Sequence, residues 1–137
     1  MIIADTSGLL AFFNRDEPTH RAVTEALEAH TDPIAISPFV VAELDYLVAS
    51  RLGVDDELAV LRELGSGAYE HTVFSAEDLN ECAAIVERYR DQAIGVTDAS
   101  LVLLADRFDT HTVLTLDRRH FDVLRPLRDG RFTLIPS

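Results

Sequence analysis

Short apolar segments alternate with helix-forming segments along all 137 residues of this chain. The apolar segments span residues 1–4, 33–37, 69–74, 113–116 and 132–135, and the last of them suits an edge strand. Strands joined by helical crossovers form a mostly parallel sheet that helices cover on both faces. The sequence therefore predicts an α/β fold, a three-layer α/β/α sandwich with a mostly parallel central sheet, in a single domain of residues 1–137.

Helix signals fill the intervals between these segments. Helices are predicted over residues 7–13, 19–30, 39–51, 55–64 and 75–89, and from residue 97 onwards. Ser37 and Pro38 are residue types that begin a helix, and Ser75 with Asp78 resembles a capping box. Residues 117–127 carry no comparable signal and are predicted to be irregular.

Asp5 follows the first apolar segment and precedes two hydroxyl residues, Thr6 and Ser7. Open α/β sheets bind ligands beyond the carboxyl ends of their strands, so Asp5 is the first candidate for a functional site. Asp, Ser and Thr are also preferred helix caps. The alternative is that Asp5 or Thr6 only caps the following helix. The positions of other carboxylates are needed to distinguish these two interpretations.

Glu43 lies in the middle of the third predicted helix, on the same face as Phe39, Val40, Tyr46 and Leu47. This face is expected to be buried. A buried carboxylate costs several kcal/mol unless it meets an arginine, a metal ion or a proton. Burial beside a structural arginine is the alternative to a functional role for Glu43.

Asp98 begins a predicted helix, and Asp117 directly follows a predicted strand. Each has an ordinary structural alternative, a helix cap for Asp98 and a turn for Asp117. Together with Asp5, however, these residues belong to one edge of a parallel sheet, where side chains can converge.

A cluster of such carboxylates needs a counter-charge. Carboxylates ~4 Å apart repel by roughly 1 kcal/mol per pair in water and by ~4 kcal/mol at an effective dielectric constant near 20. Only a bound cation or shared protons make the cluster stable. All-oxygen ligands favour Mg²⁺ or Mn²⁺, ions that commonly meet their substrates through phosphate oxygens. The pattern therefore predicts metal-assisted phosphoryl chemistry.

The charge and the amino-acid composition of the chain exclude several classes of function. A net charge of −12 and a pI near 4.6 argue against a protein that holds nucleic acid through a broad basic surface. The only segment with excess positive charge is residues 117–137, which has five arginines and three acidic residues. The chain has no lysine, which excludes Schiff-base enzymes and Walker-type nucleotide sites.

Cys82 is the single cysteine, which excludes an internal disulfide and a cysteine-rich zinc site. Its apolar neighbours predict a small core residue. No apolar run reaches the ~18 residues of a membrane span, and no basic region of a signal peptide precedes the first segment. We expect a cytoplasmic protein without membrane association.

Four segments together resemble one nuclease family. They are residues 5–7 (DTS), 40–44 (VVAEL), 97–99 (TDA) and 115–121 (TLDRRHF). In this order, over the whole chain, they resemble a PIN-domain nuclease, and most of all the VapC toxins of bacterial toxin–antitoxin pairs. The resemblance implies a PIN-like α/β/α sandwich and a Mg²⁺-dependent endoribonuclease, with Mn²⁺ as an alternative ion.

The resemblance also assigns four acidic side chains as catalytic metal ligands. They are Asp5, Glu43, Asp98 and Asp117. Thr6 and Thr115 match the hydroxyl positions that orient such carboxylates. Arg118 and Arg119 are candidates for binding substrate phosphates, with solvent-facing loop residues as the alternative. His120 is expected to pack or hydrogen-bond within its loop.

The implied reaction is hydrolysis of structured RNA, tRNA or rRNA, which inhibits translation and leaves 5′-phosphate and 3′-hydroxyl ends. The implied partners are the RNA substrate, a cognate antitoxin and a second copy in a homodimer. The third and fourth predicted helices carry an excess of apolar residues that suits an antitoxin, although core packing also explains them. The alternative function is a non-catalytic scaffold whose acidic pocket binds a metal or a protein partner.

Overall fold

A five-stranded parallel sheet forms the centre of the computed structural model, which describes residues 1–137. The strands are β1 (Ile2–Ala4), β2 (Ile34–Ile36), β3 (Glu70–His71), β4 (Thr112–Leu114) and β5 (Thr133–Ile135). Their order is β3-β2-β1-β4-β5, and every neighbouring pair is parallel. The predicted parallel sheet is confirmed, with β5 at an edge as expected.

The strand order reverses at β1. The chain runs outwards from β1 to β2 and β3 and then crosses back to β4 on the other side of β1. Open α/β sheets bind ligands in the crevice outside the carboxyl ends of the strands at such a reversal. In this chain, that position is occupied by Asp5, which follows β1, and Thr115, which follows β4.

Seven α-helices flank the sheet and complete the predicted α/β sandwich. They are α1 (Thr6–Phe13), α2 (His20–Ala29), α3 (Pro38–Leu52), α4 (Val54–Leu64), α5 (Ala76–Arg88), α6 (Val96–Arg107) and α7 (Arg118–Val123). Helix α1 packs against α2 and α3, α3 packs against α4, and α5 packs against α6. None of the helices has the length and apolar character needed to cross a bilayer.

Two helix starts have the caps that the sequence predicts. The Ser37 hydroxyl accepts a hydrogen bond from the Phe39 N–H at 3.2 Å, and Pro38 is the first residue of α3. At α5, the Ser75 N–H donates to the Asp78 carboxylate at 2.8 Å, while the Asp78 N–H donates to the Ser75 hydroxyl at 3.2 Å. This reciprocal pair is a capping box.

Two elements differ from the sequence prediction. Residues 117–127, predicted to be irregular, contain α7, whose six residues are too few for a periodic apolar pattern. The strand predicted over residues 69–74 is reduced to β3, because its one neighbour, β2, ends at Ile36. Beyond β3, Thr72 still donates its N–H to Ile36, but Val73 is 84% exposed.

The hydrophobic core lies around β1 and α6. All three residues of β1 are fully buried, and residues 99–105 of α6 are buried without a break. Cys82 is buried in the same core, as predicted. Asp98 stands one position before the buried stretch of α6, so a rigid helix fixes its position in the fold.

Candidate active site

Asp5 is held at the carboxyl end of β1 by groups from both strands of the crevice. Its N–H donates to the carbonyl oxygen of Leu114 at 2.9 Å. Its Oδ1 accepts from the Thr6 N–H at 2.8 Å, while Oδ2 accepts from the hydroxyls of Thr115 at 2.7 Å and Ser7 at 3.0 Å. These contacts fix the carboxylate in one orientation.

The pKa of Asp5 is raised above its usual value, mainly because the residue is only 5% exposed. Its three hydrogen bonds act in the opposite direction because they stabilise the charged form, and the negative charge of Asp117 adds to the rise. The net rise means that the neighbouring protein groups do not fully compensate the buried charge. A cation placed beside Asp5 would supply that compensation.

Ser7 belongs to the site, although the sequence prediction did not include it. Its hydroxyl lies 3.2 Å from that of Thr115 and accepts a hydrogen bond from the Leu116 N–H at 2.9 Å. Ser7 thus connects the start of α1 to the residues that follow β4. The signal in the sequence was a hydroxyl two residues after the acid, in the first turn of a helix.

Thr115 and Thr6 are the two residues predicted to orient carboxylates. The Thr115 hydroxyl donates to Asp5, whereas the Thr6 hydroxyl contacts no carboxylate in this structure. Thr6 is 2% exposed, and its hydroxyl has no hydrogen-bond partner. Only the backbone N–H of Thr6 contacts Asp5. The second orienting hydroxyl is therefore that of Ser7.

Asp98 and Asp117 meet at the ring of His120. His120 Nδ1 lies 2.9 Å from Asp98 Oδ2 and 3.1 Å from Asp117 Oδ2. Asp117 also caps α7, and its N–H donates to the Thr115 hydroxyl at 2.9 Å. The sequence prediction kept His120 within its own loop, but in the structure it joins α7 to the start of α6. The missed signal was an acid and a histidine three residues apart, the spacing of one helical turn.

The acidic side chains interact electrostatically. Burial raises the pKa of Asp98 to about 6, and the negative charges of Asp5, Asp117 and Glu43 add to the rise, while His120 opposes it. Like charges raise a carboxylate pKa only when they are close. His120 thus links Asp98 to Asp117 directly, and Asp5 and Glu43 lie near enough to act on the charge of Asp98.

Glu43 is exposed, which contradicts the expectation that its helix face is buried. The buried stripe of α3 consists of Val40, Leu44 and Val48, spaced four residues apart, and Tyr46 is 71% exposed. Glu43 accepts a hydrogen bond from the Thr97 hydroxyl at 3.4 Å, and no arginine pairs with it. It lies at the margin of the site, in contact with the residue before Asp98.

The donor set suits a hard divalent cation. The four acids offer only oxygen ligands, and the raised pKa values of Asp5 and Asp98 report negative charge that a cation would neutralise. No three acidic, histidine or cysteine side chains form a ready-made ligand cluster in this structure. The four acids thus fit a divalent ion by charge and donor chemistry, without forming a closed set of ligands.

The two arginines after Asp117 have different surroundings. Both are exposed at the start of α7. Arg118 donates a hydrogen bond to the carbonyl oxygen of Pro136 at 3.0 Å, whereas the Arg119 side chain has no hydrogen bond or ion pair. Both guanidinium groups keep their charge uncompensated within one helical turn of Asp117.

The comparisons with known proteins agree with this geometry. Residues 2–125 match the family model described as PIN domain. The chain is 57% identical over 135 residues to Ribonuclease VapC26 of Mycobacterium tuberculosis (strain ATCC 25618 / H37Rv), an alignment that covers 98% of this chain and 100% of that protein.

Solved structures share the fold at low sequence identity. Mycobacterium tuberculosis VapC20, described as a Sarcin-Ricin loop cleaving toxin, superposes with a TM-score of 0.79 at 16% identity, covering 85% of this chain and 90% of that one. VapBC2 from Rickettsia felis, bound to a DNA fragment from their promoter, gives a TM-score of 0.68 at 22% identity, covering 98% and 97%. The resemblance seen in the sequence is thus confirmed, and the chain belongs to the PIN-domain family.

Proposed function

We propose that this chain is a Mg²⁺-dependent endoribonuclease toxin that hydrolyses structured RNA in the cytoplasm and so inhibits translation. The observation that carries the proposal is the convergence of Asp5, Asp98 and Asp117 at the reversal of strand order, with the pKa of Asp98 raised to about 6. The 57% identical relative is named a ribonuclease, which supports the same activity. Residues 1–137 are proposed to form one nuclease domain.

Each acidic residue has a proposed part in the reaction. Asp5 and Asp98 are the principal metal ligands, Asp117 holds a second ion directly or through water, and Glu43 completes the site or accepts a proton from the attacking water. VapC ribonucleases with a PIN domain generally depend on a divalent metal. When bound, such an ion polarises the scissile phosphate and activates water. We propose Mg²⁺, with Mn²⁺ as its substitute.

The proposed products follow from the nucleophile. Attack by water does not use the ribose 2′-hydroxyl, so the new ends carry a 5′-phosphate and a 3′-hydroxyl. The proposed substrates are tRNA or rRNA, because the structurally similar VapC20 is described as cleaving the sarcin-ricin loop. Arg118 and Arg119 would bring RNA phosphates towards the acidic site.

Metal removal tests the activity. We expect the purified protein to cut cellular RNA at discrete sites in Mg²⁺ or Mn²⁺, to lose at least 100-fold of this activity in EDTA, and to recover it when Mg²⁺ is restored. Sequencing of the new 5′ ends identifies the substrate. Cleavage that persists in EDTA contradicts the metal mechanism, and no cleavage by folded, metal-loaded protein favours the non-catalytic scaffold.

The outer surface of α3 and α4 is proposed to receive a cognate antitoxin. Four large apolar side chains of these two helices are exposed: Tyr46 (71%), Val54 (62%), Leu58 (40%) and Leu61 (40%). Exposed apolar patches of this kind often mark interfaces. Similar folds were solved as toxin–antitoxin complexes, including one from Klebsiella pneumoniae.

Charged substitutions on this surface test the antitoxin proposal. We expect Tyr46→Glu with Leu58→Glu to weaken antitoxin binding, measured by calorimetry, at least 10-fold, because both introduce a charge that has to be desolvated on binding. Val73→Glu is the matched control, since Val73 is 84% exposed but lies after β3. Equal affinities for the two variants would contradict the assignment.

Light scattering of the toxin alone tests the proposed homodimer. A monomer mass at micromolar concentration would exclude that homodimer.

A further inference from the structure

A cavity of about 250 Å³ lies beside α7, outside the acidic site. Its polar lining consists mainly of three arginines, Arg118, Arg125 and Arg131, which we call the arginine cavity. Asp122 is the single acidic side chain in the lining, and Phe121 and Phe132 form part of an apolar wall. The cavity thus combines excess positive charge with an apolar surface, in a chain whose net charge is −12.

The lining of the arginine cavity compensates only part of its positive charge, because it holds three arginines and one acidic side chain, Asp122. None of its three arginines forms an ion pair, although four other arginines of the chain do. Arg128, from the same segment of the chain, pairs with Asp106 at 3.0 Å. The three free guanidinium groups therefore face solvent as a concentrated positive charge.

Backbone carbonyl groups hold two of these guanidinium groups in place. Arg118 donates to the carbonyl oxygen of Pro136 at 3.0 Å, and Arg125 donates to those of Asp122 at 2.7 Å and Leu124 at 3.0 Å. A neutral carbonyl orients a guanidinium without cancelling its charge. The arrangement leaves other N–H groups of each arginine free for a multiply charged acceptor such as a phosphate.

Helix α7 lies between the arginine cavity and the acidic site. The cavity-lining residues 118, 121 and 122 have the spacing of one face of α7, and Arg125 follows the end of the helix, whereas His120 contacts Asp98 and Asp117. A helix with its side chains is about 10–12 Å across, so the arginine cavity and the acidic site lie on opposite sides of one short helix.

We propose that the arginine cavity binds a backbone phosphate of the RNA substrate, on the opposite side of α7 from the acidic site that cleaves it. This inference rests on the proposed function and adds to it a site that anchors RNA. An acidic protein repels RNA over most of its surface, so a cavity with excess positive charge supplies local attraction. The partly exposed Phe132 provides an apolar contact for the adjoining ribose or base.

Removing the charge tests this site. We expect Arg125→Gln with Arg131→Gln to weaken binding of labelled oligouridylate at least 10-fold in EDTA, measured by anisotropy. The slope of log K against log salt should become less negative by about 0.7 for each phosphate that the variant no longer neutralises. In Mg²⁺, KM for the cleaved RNA should rise with little change in kcat, because the cavity does not touch the reacting atoms.

The controls separate this inference from folding effects and from the proposed function. Arg62→Gln removes one charge from an exposed arginine without an ion pair in α4, and should leave RNA affinity unchanged. Arg131→Gln alone carries the test if Arg125→Gln lowers the melting temperature, since Arg131 makes no hydrogen bond. If the double variant binds RNA more weakly and the unmodified protein shows no cleavage, the result supports RNA binding at the arginine cavity but contradicts the proposed nuclease activity.

Two outcomes would overturn the inference while leaving the nuclease intact. One is metal-dependent cleavage with the same RNA affinity and salt slope in the double variant, the Arg62→Gln control and the unmodified protein. The other is binding of inorganic phosphate that the double substitution removes, with unchanged RNA affinity. That result would assign the arginine cavity to a small free anion.

Discussion

Replacing Asp98 with asparagine is expected to reduce RNA cleavage at least 100-fold and, in the same protein without metal, to raise the melting temperature by about 3–8 °C. Cleavage falls because a proposed metal ligand loses its negative charge. Stability rises because Asp98 is buried among like charges, which raise its pKa to about 6 from an ordinary 3.8. The substitution keeps the shape of the side chain and removes the repulsion.

The sign of the pH dependence follows from the raised pKa. Below about pH 4 Asp98 is protonated in both the folded and unfolded states, so the variant has no advantage. Between about pH 4 and pH 6 the unfolded state releases this proton first, and the unmodified protein loses stability relative to the variant. The full shift corresponds to about 3 kcal/mol, which partial solvent screening reduces to about 1–2 kcal/mol.

Thermal unfolding in EDTA at several pH values, beside RNA cleavage in Mg²⁺, measures both effects. Asp16→Asn is the matched control, because Asp16 is exposed and its carboxylate makes no hydrogen bond or ion pair. Adding Mg²⁺ should raise the melting temperature of the unmodified protein and of this control. The rise for Asp98→Asn should be much smaller. Retention of more than a tenth of the cleavage, or an unchanged melting temperature at pH 7.5, would contradict the assignment.

The sequence predicted the acids that follow buried strands because a sharp change from apolar to polar residues marks a strand end. Asp5 and Asp117 stand at such changes, and the parallel sheet brings them to the same edge. Thr115 could be assigned only through the family resemblance. Its bond to Asp5 joins residues 110 positions apart, a contact that no local pattern specifies.

The prediction from the sequence was wrong or incomplete where a local pattern was compatible with two structures. Helix α3 is apolar on most of its surface, so the pattern could not distinguish the buried stripe from the exposed face that holds Glu43. Helix α7 is a single short helix, and the role of His120 depends on its packing against the start of α6. Ser7 and Thr6 are adjacent hydroxyl residues, and only the direction of α1 decides which one faces Asp5.

Gly8 is the position where a single methyl group is expected to disturb both the fold and the site. A Cβ atom there would lie 2.6 Å from the Leu114 side chain and 2.8 Å from its carbonyl oxygen, the acceptor of the Asp5 N–H. Backbone atoms cannot yield to such a contact, so Gly8→Ala has to push α1 away from β4. The displacement would separate Ser7 from Thr115 and release the Asp5 carboxylate.

We expect Gly8→Ala to lower the free energy of unfolding by about 1–3 kcal/mol and the melting temperature by about 3–10 °C. Alanine normally stabilises a helix relative to glycine, so a loss at this position isolates the effect of the contact. Cleavage measured well below the melting temperature should fall more than the folded fraction, because Asp5 loses its orientation. A Gly8→Ala protein as stable and active as the original would mean that α1 does not approach β4 this closely.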